Sequence, residues 1–186
     1  PGDAVFIEGP PARFVGRGAE KLDGALEHFQ LDVSGLRALD AGASTGGFTD
    51  CLLQRGAQQV VALDVGHGQL HERLRADDRV VNMERTNVRH ITADHIGGRV
   101  GIVVGDLSFI SLTLVIPALV SVCQPGAPMV MLVKPQFEAG RSEVGKGRGI
   151  ITDPAIHERV KGCPFYTSDA ADQPLSVYLS RLLTTK

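Results

Sequence analysis

Four polar residues close apolar runs in this sequence, and their types suggest a chemistry. Arg37-Ala38-Leu39 runs into Asp40, Gln59 to Leu63 into Asp64, Gly101 to Val104 into Gly105-Asp106, and Met129 to Val133 into Lys134. One strand ending in a charge is unremarkable, but four in register form a site. After Asp40 comes the turn Ala41-Gly42-Ala43-Ser44-Thr45-Gly46-Gly47-Phe48-Thr49. Its glycines let a backbone approach a ligand closely and supply positive φ. The helix that follows offers free N–H groups to a carboxylate, and Asp40 can take an ammonium group. A ligand carrying both groups is an amino acid, such as the methionine half of S-adenosylmethionine. Asp64 stands 24 residues after Asp40, where an acid can accept hydrogen bonds from ribose hydroxyls. Together these features predict an adenosine-bearing cofactor.

Asp106 and Lys134 predict the reactive end of the same cleft, with Lys21 near the start of the first helix as a third member. A ribose hydroxyl is a poor nucleophile and must lose its proton as it attacks a methyl group. A lysine accepts that proton once burial or a second cation lowers its pKa, and an aspartate positions it. Each residue has a structural alternative: a ligand-free turn, a solvated lysine, or Asp106 as a helix cap.

Two phosphate motifs are close but fail. The turn reads Gly-x-x-x-Gly-Gly, which is not the dinucleotide fingerprint. Gly140 to Gly147 nearly fits a P-loop, but Gly147 stands where a magnesium-binding hydroxyl belongs, so it reads as a basic loop. His67 and His71 are four apart without a third ligand, and Cys51, Cys123 and Cys163 lack metal spacing. No metal is expected.

These residues need a frame. The 186 residues, 43% apolar and 22% charged, suffice for one domain with a core. A net charge of −2 argues against coating nucleic acid by bulk charge and leaves room for a local basic patch. Leu22, Ala25, Leu26 and Phe29 recur at helical spacing, ending near Gln30. Helices are then expected through Phe48 to Leu52, around Leu70 to Leu74, and from Ser111 to Val122, and a short strand at Val80 to Met83. Continuous apolar strands alternating with helices predict an α/β fold with a mostly parallel sheet, Rossmann-like, whose ligands bind beyond the strands' carboxyl ends. A short strand is expected at Val5 to Ile7.

The sequence also resembles a known family. Gly16 to Leu22, the Asp40 to Thr49 turn, Glu84-Arg85-Thr86-Asn87, Gly105 to Leu112 and Val133 to Glu138 are similar to the TlyA proteins. These are FtsJ-like ribosomal RNA methyltransferases, often labelled haemolysin A. The resemblance implies S-adenosylmethionine-dependent 2′-O-methylation of cytidine in ribosomal RNA. It implies a catalytic Lys–Asp–Lys–Glu set, of which Lys21, Asp106 and Lys134 map here, with Lys134 as the base. Gly42 and its neighbours, with Asp64, would hold the cofactor, and Asn87 falls where relatives contact the adenine region. The fourth member, a glutamate, lies in a late strand of the family, and no glutamate follows Glu158.

The expected organisation is a linker remnant over 1–15, the FtsJ-like methyltransferase domain over 16–161, and an atypical tail over 162–186, chimeric, frame-shifted or artefactual. The expected sheet lacks its last strands and leaves an edge exposed. The expected partners are ribosomal RNA or ribosomal subunits in the cytoplasm, with no membrane. Two other readings compete: a non-catalytic RNA-binding remnant, and a membrane-active haemolysin, which would need an amphipathic or spanning segment.

Overall fold

The computed structural model describes residues 12–138 and the backbone of a strand at 177–180. The expected strand at Val5 to Ile7, the loop Gly140 to Gly147 and the helix begun at Asp153 lie outside the described residues.

The elements follow in chain order. Helix α1 (Gly18–His28) precedes β1 (Arg37–Ala41), α2 (Gly47–Gln54) and β2 (Gln59–Leu63). Then come α3 (Glu72–Arg75), β3 (Val80–Met83), β4 (Ile102–Gly105), α4 (Ile116–Val122), β5 (Met129–Leu132), α5 (Pro135–Glu138) and β6 (Val177–Ser180). The strands form one sheet in the order β3-β2-β1-β4-β5-β6, and every pairing is parallel. The chain winds outward from β1 to β3, returns to the other side of β1, and winds outward again. The order reverses between β1 and β4, which opens a crevice at their carboxyl ends.

Both faces of the sheet are covered, which is why its strands read as unbroken apolar runs. Ala38, Val60, Ile102 and Val104 point to a layer holding Leu22 and Leu26 of α1 and Leu52 of α2. Their chain neighbours Leu39, Val61 and Val103 point the other way, to Leu119 and Val122 of α4. This period of two fixes the strand-end residues, because a slip of one would exchange the faces.

Three expectations are corrected. The helix expected from Ser111 to Val122 is a 3-10 turn (Leu112–Leu114) followed by α4. Pro117 sits in the first turn of α4; in one continuous helix it would be interior, where it lacks an N–H to donate. The helix near Leu70 is only the single turn α3, and His67 lies in a bend before it. His71 instead caps α3, its Nδ1 accepting the Arg73 N–H at 3.1 Å. The edge of β5 is not open: β6, drawn from the segment expected to be atypical, pairs with it from Met129–Val177 to Leu132–Ser180.

Candidate active site

A cleft of about 370 Å³ opens at the carboxyl ends of β1, β2 and β4, within the size range of small-molecule sites (roughly 300–1,000 Å³). Gly42, Ser44 and Asp64 line one side, with Val65 and Gln69 from the loop after β2. Thr86 and Val88 close the end. Asp106, Leu107, Ser108 and Phe109 line the other side. A second hollow of about 340 Å³ at the end of α1 involves Leu26, Glu27 and Arg55 and none of the strand-end acids.

The turn is shaped by what its glycines leave out. Gly42 has φ of 86°, and a Cβ there would stand 3.2 Å from the Asp106 carbonyl oxygen. Gly46 has φ of 96°, and its missing Cβ makes room for the Leu74 and Leu70 methyls. The Leu63 carbonyl accepts from the N–H groups of Gly42 and Ala43. Gly47 begins α2, and Thr45 is exposed beside it. Ser44, at φ of 50°, donates its N–H to Asp64 Oδ2 at 2.9 Å. Asp64 Oδ1 accepts from Gly66 N–H at 2.7 Å. Asp64 thus joins two walls, and each oxygen keeps a lone pair for a ligand hydroxyl.

Asp40 and Phe48 are buried below the turn rather than lining the cleft. Thr49 Oγ1 donates to Asp40 Oδ2 at 2.7 Å, while Oδ1 has no partner among the described residues. Burial pushes the Asp40 carboxyl up to about 7; the Thr49 bond opposes this, and the charges of Asp106 and Asp64 add to it. A fully buried acid with an orphaned oxygen suits a site that receives a cation. The glycine cradle, the Asp64 acceptors and this acid fit the amino-acid and ribose parts of S-adenosylmethionine.

On the opposite side, Lys134 Nζ lies 2.6 Å from Asp106 Oδ1 and donates to Ser108 Oγ at 2.6 Å. The contact to Asp106 is an ion pair rather than an aligned hydrogen bond. Asp106 and Ser108 line the cleft, and Lys134 itself is not among its lining residues. Lys21 is exposed on α1 and makes no ion pair among the described residues. Asn87 does not line the cleft; it caps a 3-10 turn, Oδ1 accepting from Arg89 N–H at 3.0 Å, between the lining residues Thr86 and Val88.

Several residues at the site carry no role in the sequence reading. Phe109 is 91% exposed at φ of 63°, with its ring 5.2 Å from that of Phe137. Glu138 holds the end of the same loop: Oε1 accepts from Leu112 N–H at 2.8 Å and Oε2 from Ser111 Oγ at 2.6 Å. Their signals were membership of the quoted family motifs and position, since all lie within five residues of a strand end already marked by a charge. Among the described residues no group of side chains could hold a metal ion, and no helix is long and apolar enough to cross a membrane.

A doubly wound parallel sheet with a glycine turn after β1 and acids at the next strand ends is the frame of the Rossmann-like methyltransferases. The chain belongs to the FtsJ-like methyltransferase family, whose sequence model matches residues 14–168. It is 60% identical over 146 residues to the 16S/23S rRNA (cytidine-2′-O)-methyltransferase TlyA of Mycobacterium tuberculosis, covering 78% of this chain and 54% of that one. It is 45% identical over 149 residues to Hemolysin A of Brachyspira hyodysenteriae, covering 80% and 62% respectively. A solved structure from Streptococcus thermophilus, named for a haemolysin, superposes with a TM-score of 0.77 at 48% identity over 82% of this chain and 55% of that one. An S-adenosylmethionine-dependent methyltransferase from Mesorhizobium loti, 20% identical with a TM-score of 0.51 and coverage of 63% and 55%, shares the fold. The chain spans about half the length of the curated relatives it matches, 54% in the first case.

Proposed function

We propose that this chain is the catalytic part of an enzyme that methylates cytidine 2′-hydroxyls of ribosomal RNA, with S-adenosylmethionine as donor. The observation that carries this reading is the shared crevice: Gly42, Ser44 and Asp64 face Asp106 and Ser108, which hold Lys134. The relatives' printed names supply the choice of nucleotide and the ribosomal target.

S-adenosylmethionine, when bound, supplies the methyl group. Gly42 and its neighbours cradle the amino-acid end, and Asp64 accepts from ribose hydroxyls. Val65, 68% exposed beside Asp64, offers an apolar surface to the adenine. Lys134 in its amine form takes the hydroxyl proton at Nζ, and Asp106 and Ser108 hold the ammonium that results. Placing the hydroxyl oxygen about 3–3.5 Å from the methyl carbon accounts for much of the rate. Phe109 presents a ring at the mouth of the cleft on which an unstacked base can rest. Lys21 and Asn87 retain the roles carried by resemblance, Lys21 near the reacting hydroxyl and Asn87 near the adenine. The setting is cytoplasmic, with ribosomal RNA or an assembled subunit as partner.

The test is methyl transfer from labelled S-adenosylmethionine to ribosomal subunits and to their extracted RNA, followed by digestion to nucleosides. Label in 2′-O-methylcytidine that disappears with Lys134→Ala is expected. Label on a base, or transfer that survives this substitution, overturns the reading.

A further inference from the structure

Glu84 stands at the exit of β3 and lines neither the cleft nor the hollow at the end of α1, yet three features converge on it. Its Oε1 accepts from the N–H groups of Gln69 at 2.7 Å and Leu70 at 3.2 Å. Its Oε2 faces His67 Nδ1 at 3.5 Å, and the side chain is 12% exposed. The carboxyl is held down to about 2 chiefly by the backbone N–H of Gly68, then by those of Leu70 and Gln69, with Asn82 adding. An acid that accepts several backbone N–H groups fixes the peptide that presents them.

That peptide is the wall of the cleft. Val65 and Gln69, which line it, belong to the loop from Asp64 to Leu70. Its first half is tied to the β3 exit by Arg85 N–H to the Gly66 carbonyl and Thr86 N–H to the Asp64 carbonyl, each 2.9 Å. Glu84 supplies the tie for the second half. The effect continues into the glycine turn, because Leu70 packs where Gly46 has no Cβ and His71 N–H donates to the Thr45 carbonyl at 3.1 Å. One carboxylate thus sets both the loop that faces a nucleoside and the residue against which the turn rests.

We propose that Glu84 is a positioning residue for the cofactor, clamping the Asp64–Leu70 loop by its backbone N–H groups so that Val65, Gln69 and the glycine turn keep their places. This rests on reading the cleft as a nucleoside site. Without the clamp the loop keeps its start at Asp64 and loses its end, so the nucleoside wall loosens while the sheet stays intact.

The experiment pairs hydrogen exchange with S-adenosylhomocysteine binding in Glu84→Ala and Glu84→Gln. Losing charge-assisted hydrogen bonds predicts, for E84A, exchange of the Gln69 and Leu70 amides faster by roughly tenfold and a Kd raised by roughly tenfold. Amides of β1 and β4 should exchange as in the native chain. E84Q keeps a carbonyl acceptor and should fall between the two. Unchanged local exchange or unchanged Kd in E84A overturns the proposal. So does an E84A chain that loses protection throughout while E84Q matches the native chain in both readouts. If the native chain itself binds no S-adenosylhomocysteine, the nucleoside reading falls, and exchange at Gln69 and Leu70 still decides whether Glu84 sets this wall.

Discussion

Lys134 Nζ stands equally close, 2.6 Å, to Asp106 Oδ1 and to Ser108 Oγ, so one amine ties the loop after β4 to the end of β5. Removing it should abolish proton acceptance and leave the cofactor wall untouched. We expect Lys134→Ala to lower the methyl-transfer rate by about 10²–10⁴, the usual share of a positioned base. S-adenosylhomocysteine affinity, read by titration calorimetry, should change little. A parallel loss of affinity would place Lys134 in cofactor binding instead.

Asp64 spans two walls through Ser44 and Gly66. Asp64→Asn sets an NH2 donor against an N–H donor and leaves the ribose a single uncharged acceptor. Replacing a charged acceptor costs about 1.5–3 kcal/mol, so the Kd for S-adenosylhomocysteine should rise by roughly ten- to a hundredfold. Binding within threefold of the native value would show that the ribose lies elsewhere.

Phe109 occupies left-handed backbone at φ of 63°, a conformation that strains a bulky residue by about 1–2 kcal/mol. Phe109→Gly should raise the melting temperature by relieving that strain. It should also weaken RNA binding by about 1–3 kcal/mol if the ring stacks a base. A less stable variant contradicts the strain, and RNA binding equal to that of the native chain contradicts the stacking.

The acids predict a slope of stability with pH. Asp40 is raised to about 7 by burial from an ordinary value of 3.8. Between those values the folded chain holds a proton that the unfolded chain has released. Stability from this group is therefore fully present below about pH 4, declines as pH rises toward 7, and levels off above it. The span corresponds to roughly 4 kcal/mol. Glu84 acts oppositely, but its loss begins only as the pH falls below 4.5 toward 2. Urea unfolding from pH 5 to 8 should show the decline, and Asp40→Asn should flatten it.

Gly46→Ala tests the turn itself. At φ of 96° an added Cβ would come 2.2 Å from Leu74 Cδ1. Strain and overpacking together should cost about 2–4 kcal/mol, measurable by the urea midpoint. A loss below 0.5 kcal/mol would mean that α3 does not seat on the turn.

β1, β2, β4 and β5 were legible because each is buried on both faces, and an apolar run bounded by a charge marks both its body and its end. Val80–Met83 and Gln59–Leu63 were read to the residue. The break before α4 was harder, since Leu112, Val115, Ile116 and Leu119 keep helical spacing across it. Only Pro117 signals that the helix starts late. The strand-end residues were legible as a set, yet the depth of each was not. Asp40 sits beneath the turn and Asp64 on the wall, a difference made by tertiary packing rather than by local sequence. Glu84 and Glu138 stood inside the quoted motifs without a role, because the backbone N–H groups they accept from lie 14 and 26 residues away and carry no side-chain signature.

The reversal of strand order between β1 and β4 divides the labour of the cleft. In the proposed function, Gly42, Ser44, Asp64 and Val65, assigned to the donor, descend from the β1–β3 half, and Asp106, Ser108 and Lys134, assigned to the acceptor, descend from β4, β5 and their loops. The two halves meet along the β1–β4 pairing and share both apolar layers of the core. The acceptor side can therefore change at exposed positions such as Phe109 without disturbing the donor turn, whereas a change in the shared core reaches both.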